Sequence, residues 1–256
     1  MNELLISLFL NDNCAHLLYK ELQTGEHVYC QTYLKHNIKM SNAFGANVSD
    51  TIKQILNIQD ATQSQILHVY EKLLNTFEES KIKVQKKNLN EYVHSNVLYD
   101  EEPAKITELS HIRINLSSNV IEITTKDMLD NWIIDSDAKM NKIINTPTIL
   151  GIWINRLSEN EQVTKIKLQK KIAPLRYCHD KHLKNKRWHL CSIVCLNHKN
   201  IYACFKCGNE WVCTNNADGT TGNTSQMSYA KISLSDKIIT SKIQHECFFL
   251  IYSHFG

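Results

Sequence analysis

The segment Leu190-Cys-Ser-Ile193, followed after six residues by Asn200-Ile-Tyr-Ala-Cys204-Phe-Lys-Cys207-Gly208, carries the strongest structural signal in the chain. Two cysteines separated by two residues can chelate one ion from a tight turn. A following glycine lets backbone amides turn toward the thiolates. Cys204 and Cys207 therefore read as a zinc knuckle, and a closed structural site needs two more ligands than one knuckle supplies. Cys178, Cys191, Cys195, His179, His182 and His198 are candidates upstream, and Cys213, His245 and Cys247 downstream. These are enough for two ions, and the spacing leaves the partition open. Free cysteine also packs well in cores, and for Cys14, Cys30, His16 and His68 that plainer reading is preferred.

Working outward, the cysteines are unevenly placed. Seven of the nine, and six of the twelve histidines, lie in the last 79 of 256 residues. An intracellular chain gains little from disulfides, so this clustering points to metal, and zinc is the default for mixed Cys/His sites. No HExxH or HxE…CxxC arrangement accompanies the cysteines, so the zinc is expected to be structural and the protein not an enzyme. The composition is globular, with 43% hydrophobic residues. The net charge of +3 makes any nucleic-acid contact a local matter. No run of 18 apolar residues occurs, and Leu4 to Leu10 lacks the basic start of a secretory signal, so an intracellular, soluble protein is expected.

Residues 1 to about 170 read as a helix-rich α+β domain of undisclosed role. Helical spacing runs through Asn2–Leu22 and Ile52–Leu56. It is clearest from Asp60 through Ile66, Leu67, Tyr70, Leu73, Leu74 and Phe77, with Gln63 completing a capping box. Ile112, Ile114 and Leu116 alternate, a Ser117-Ser-Asn119 turn follows, and Val120, Ile121 and Ile123 complete a predicted hairpin. A helix is predicted from about Asp127 to Ile144, ending before Pro147. Ile149 to Leu157 is a short apolar stretch, and a domain boundary is placed at Leu168–Pro174. From Lys165 to Arg187 nine basic residues face a single acid, Asp180. This stripe, with Lys181, Lys184, Lys186 and Arg187 at its end, suits RNA or an acidic partner; the plainer reading is a solvated linker and charged rim.

Around the cysteines the sequence resembles the UBP-type zinc fingers, in the version carried by ubiquitin-hydrolase-like splicing factors of the tri-snRNP. Arg176-Tyr-Cys178 resembles the opening of that finger, Leu190–Ile193 its second segment, and Tyr202–Gly208 its knuckle. Ser228-Tyr229-Ala230, and His245 before Phe248, Phe249 and Leu250, resemble its tail. The likeness covers residues 174 to 256 and implies a small zinc-stapled α/β finger. Cys178, Cys191, Cys204 and Cys207 are then its favoured ligands, with His182 and His245 as further ones. Tyr229 stands where a ligand His is expected, and Thr214-Asn215 replace an Arg-Gly pair, so ubiquitin binding is not expected. The resemblance implies a nuclear, non-enzymatic interaction protein that binds spliceosomal or snRNP proteins. Cys204–Trp211 also resembles half of a transcription-factor zinc ribbon, which would contact RNA polymerase or nucleic acid. The 45 residues after Trp211 and the absence of acids between 183 and 203 favour the UBP-type reading. A ubiquitin-reading adaptor is the third alternative.

Overall fold

The computed structural model describes residues 71, 81–88, 106–116, 119–134, 139–156, 164–173, 187–197, 200–207, 209–214 and 229–254. Strands dominate it. In chain order they are β1 (Ile82–Asn88), β2 (Ile106–Leu109), β3 (Ile112–Leu116), β4 (Glu122–Thr124), β5 (Lys139–Ile143), β6 (Ile149–Arg156), β7 (Lys165–Lys167) and β8 (Lys171–Ile172). They continue with β9 (Trp188–Asn197), β10 (Asn200–Cys207), β11 (Glu210–Thr214), β12 (Tyr229–Ile232) and β13 (Cys247–His254). Helix α1 (Thr125–Ile133) follows β4, and α2 (Lys237–Glu246) leads into β13.

The main sheet runs β12-β11-β10-β9-β13-β6-β3, with β8 added against β9. Its centre is β9 and β13, which pair antiparallel from Cys195↔Cys247 to Trp188↔His254. Both are almost continuously buried. A strand covered on both faces needs a near-unbroken apolar run, which Leu190–Leu196 and Phe248–Tyr252 supply. Trp188, Phe205, Phe249 and Tyr252 are the largest fully buried side chains. A three-stranded sheet β2-β1-β5 and a pair β4-β7 complete the strands.

Among the described residues the expected helix-rich first domain is not found. The described residues before 170 form seven strands, one nine-residue helix and a single helical residue at Glu71. The periodic segments Asn2–Leu22, Ile52–Leu56 and nearly all of Asp60–Phe77 lie outside the described residues. The predicted helix from Asp127 to Ile144 is half helix and half strand. Thr124 caps α1, accepting a hydrogen bond from the Asp127 amide at 3.1 Å. The run then meets Asp135-Ser-Asp137, residue types of low helix propensity. The chain resumes as β5, and Asn141 reaches back to the Trp132 carbonyl at 2.7 Å.

The predicted hairpin is also corrected. β3 has the expected alternation of buried and exposed residues, yet it pairs in parallel with β6, and β4 pairs in parallel with β7. Alternation reports that one face is buried, but it does not name the neighbouring strand. The boundary expected at Leu168–Pro174 runs through the main sheet. β6 lies on one side of it in sequence, β9 and β13 on the other, and all three are neighbours. No described helix is long and apolar enough to cross a membrane.

Candidate thiol centre

Four cysteines gather where β13, β9, β10 and β11 run side by side. The register sets Cys247 opposite Cys195, Cys195 opposite Tyr202, and Cys204 opposite Cys213. Tyr202 and Cys204 are two residues apart on β10 and share a face. Helix α2 lies against this region. Asp236 caps it, accepting from the amides of Ile238 and Ile239 at 2.8 and 3.2 Å. The helix brings two charged side chains to Tyr202. The phenol donates to Glu246 Oε2 at 2.5 Å, and Lys242 Nζ stands 5.6 Å from the ring centroid, a cation–π distance.

The sulfurs of Cys204 and Cys213 are 2.8 Å apart. Cys204 is fully buried, and its hydrogen bond with Cys213 together with burial pushes the Cys204 thiol well up. The same bond favours the Cys213 thiolate and lowers its pKa, against the effect of burial. Burial pushes Cys195 well up, and the neighbouring Cys247 adds to this. Burial raises Cys247 to about 11, although Arg156 beside it acts in the opposite direction. Burial, then Cys195 and Glu246, hold Tyr202 far above the usual phenol range. Cys213 is thus the one thiol of this group whose ionised form is favoured.

Arg156 closes the far end of the centre. Its guanidinium donates to the Cys247 carbonyl at 2.7 and 3.2 Å, to the Gln244 carbonyl at 3.2 Å, and to the Thr164 carbonyl. It therefore satisfies carbonyls at the end of α2 that have no intrahelical partner.

The expected ligands are distributed differently. Cys204 to Cys207 is extended strand, not a tight turn, and Cys207 stands opposite Glu210. Cys191 is buried in β9 and donates its S–H to the Ile251 carbonyl at 3.2 Å. His245 is exposed in the last turn of α2, its Nδ1 2.7 Å from the Ser241 carbonyl. Arg187 is exposed just before β9. Cys178, His182, Lys181, Lys184 and Lys186 lie outside the described residues. Among the described residues no three His, Cys, Asp or Glu side chains converge as a metal site. Sequence reasoning missed the pairing of Cys204 with Cys213 and the roles of Tyr202, Lys242, Glu246 and Arg156. One signal for the pair was present: Gly208-Asn209 is a two-residue hairpin turn sequence, and such a turn puts Cys204 opposite Cys213.

No protein-family model matches the sequence, and no curated protein matches it. Among solved structures, the chain is similar to one in a SAGA DUB module of Ubp8, Sgf11, Sus1 and Sgf73 bound to monoubiquitin. The TM-score is 0.60 at 12% identity, over 99% of this chain and 66% of that one. A chain of the Ubp8-Sgf11-Sgf73-Sus1 SAGA DUB module matches at a TM-score of 0.59 and 14% identity, over 99% and 64%. A match in the SAGA Ubp8/Sgf11/Sus1/Sgf73 DUB module covers 69% of this chain and 38% of that one, and its TM-score of 0.48 carries no argument. This chain therefore shares the fold of part of a larger chain.

Proposed function

We propose that this protein is a non-enzymatic interaction module that works inside a multi-protein assembly handling ubiquitin. The observation that carries the reading is the fold likeness, over 99% of the chain, to chains that are themselves parts of four-protein SAGA DUB modules. The thiol chemistry supports the non-enzymatic part. The five cysteines with described side chains are all buried, and burial pushes the Cys195 and Cys247 thiols up, which makes those two poor nucleophiles. A docking surface is available at the β12 end of the main sheet. There an open groove of about 270 Å³ is lined by Lys170, Trp211, Lys231 and Leu234, among others. A sheet edge beside a groove suits an extended segment of a partner protein.

The experiment is affinity purification of the tagged protein from its native cell, with crosslinking and a Lys231→Glu variant in parallel. Co-purification of ubiquitin-hydrolase subunits, weakened by the variant, is expected; recovery of the chain alone would sink the proposal. Hydrolysis of a ubiquitin C-terminal amide by the purified chain would refute its non-enzymatic part. A narrower form of the reading places the assembly in the nucleus and in the splicing machinery. It rests on the Leu190–Gly208 resemblance. It is favoured over the transcription ribbon by the tail after Trp211, where β12 and β13 join the main sheet and α2 connects them. Splicing proteins in the same purification would support it.

A further inference from the structure

The Cys204–Cys213 pair has no part in the interaction reading, and its geometry suits a different chemistry. The two residues are directly opposed on antiparallel neighbours, β10 and β11. Opposed residues on antiparallel strands have Cα atoms about 4.5 or 5.5 Å apart, depending on the hydrogen-bonding class. Both values fall inside the span of roughly 4.4–6.8 Å that a disulfide bridges. The sulfurs already approach to 2.8 Å, well inside ordinary non-bonded contact, so a bond between them requires side-chain adjustment and no backbone movement. Cys191 is engaged elsewhere, with its S–H on the Ile251 carbonyl. β11 is the next strand in from the sheet end, and Cys213 retains 8% exposure where Cys204 has none. A small oxidant arriving from solvent therefore meets Cys213 first.

We propose that Cys204 and Cys213 form a reversible oxidation site, a dithiol that a peroxide converts to a cross-strand disulfide. The Cys213 sulfur attacks one oxygen of the peroxide, the O–O bond breaks, and water or an alcohol leaves, giving a sulfenic acid. The Cys204 sulfur then attacks the Cys213 sulfur, the S–O bond breaks, and a second water leaves with the Cys204 proton. The two sulfurs are oxidised by two electrons together, and the peroxide is reduced by two. A thiol reductant reverses the step by exchange through a mixed disulfide.

The test uses the full chain, reduced, desalted and exposed to graded hydrogen peroxide. The sample is quenched with acid, denatured, alkylated and mapped by mass spectrometry. The expected result is one crosslinked peptide pair joining residues 204 and 213, formed at lower peroxide than any other, with loss of two alkylatable thiols and full return on dithiothreitol treatment. A rise in thermal midpoint should accompany it, because the crosslink constrains the unfolded chain. The proposal is overturned if both cysteines stay alkylatable at doses that oxidise the others. It is equally overturned if Cys204 pairs instead with Cys207 or Cys195, or if both resist oxidation until a zinc chelator is added. The wild-type map decides the matter without a variant. Cys213→Ser, where it folds, should abolish the crosslink and leave Cys204 alkylatable after denaturation.

Discussion

His111 sits just before β3 with its side chain almost wholly buried, edge-on to Phe249 at 6.4 Å between ring centres. Arg113 Nε donates to its Nε2 at 3.0 Å, and its Nδ1 lies 2.9 Å from Ser110 Oγ. This pattern assigns the ring proton to Nδ1, because Nε2 must accept. A second proton would have to enter a buried ring facing a guanidinium. Burial and Arg113 accordingly lower the His111 pKa from 6.5 to about 4. Glu71 Oε1 is 3.3 Å from the Arg113 guanidinium and pairs with it. The folded pKa is below the unfolded one, so between pH 6.5 and 4 the unfolded chain binds more protons. The contribution of His111 is therefore complete above about pH 6.5 and is lost as pH falls toward 4. Over the whole window it amounts to about 3 kcal/mol. Urea midpoints measured at about pH 7 and about pH 4.5, either side of most of this window, should fall more for the wild type than for His111→Gln. Equal slopes would show that the ring is not held neutral. Little of this was readable in the sequence, since nothing in Ser110-His-Ile-Arg113 announces that the ring faces Phe249, 138 positions away.

At the scale of single elements, α2 is held at both ends by identifiable groups. Asp236→Ala removes the acceptor for two first-turn amides and should cost about 1 kcal/mol. Arg156→Met keeps an apolar stem but strands the Gln244 and Cys247 carbonyls, and should cost about 2–4 kcal/mol. Chemical denaturation of each variant checks both values, and a reversed order would mean that α2 is anchored mainly at its start. The strand that follows His245 was foreshadowed only by the resemblance of Phe248–Leu250 to the apolar tail of a zinc finger, and it runs from Cys247 to His254. The strand character of β3 was readable from Ile112, Ile114 and Leu116, but its partner was not, because a parallel neighbour is chosen through a long crossover. The Asp127–Ile144 stretch misled for a related reason. Met140, Ile143 and Ile144 continue an approximate helical spacing, whereas in the structure that half pairs as a strand with β1, and Asn141 holds the Trp132 carbonyl.

On the scale of the whole molecule, the strands cross the place where composition changes most sharply. The basic stretch around 165–187 reads as a linker because charge runs are usually solvated, and the described backbone at 164–173 and 187–197 does the opposite of linking two independent bodies. β8 adds to β9, Leu190 N donates to the Lys170 carbonyl at 3.0 Å, and Tyr252 donates its hydroxyl to the Gln169 carbonyl at 2.9 Å. Trp188, fully buried, donates its indole N–H to the Pro147 carbonyl at 3.1 Å. β13 takes one long edge from β6 and the other from β9. A fragment of residues 174–256 would keep β9 to β13 but lose β6, β8 and the acceptors for Trp188 and Tyr252. It would expose one edge of β13 and leave buried polar groups unpaired, which folded chains rarely tolerate. The fragment is therefore expected to be unfolded or aggregated, with or without added zinc, as read by circular dichroism and amide proton dispersion. The full chain should lose β9–β13 and β3–β6 in one transition. A fragment that folded alone with zinc would restore the independent finger that the sequence suggests. In the intact chain, Cys204→Ser should then destabilise both sides of residue 170 together, because the strand that carries it is two places from β13 in one continuous sheet.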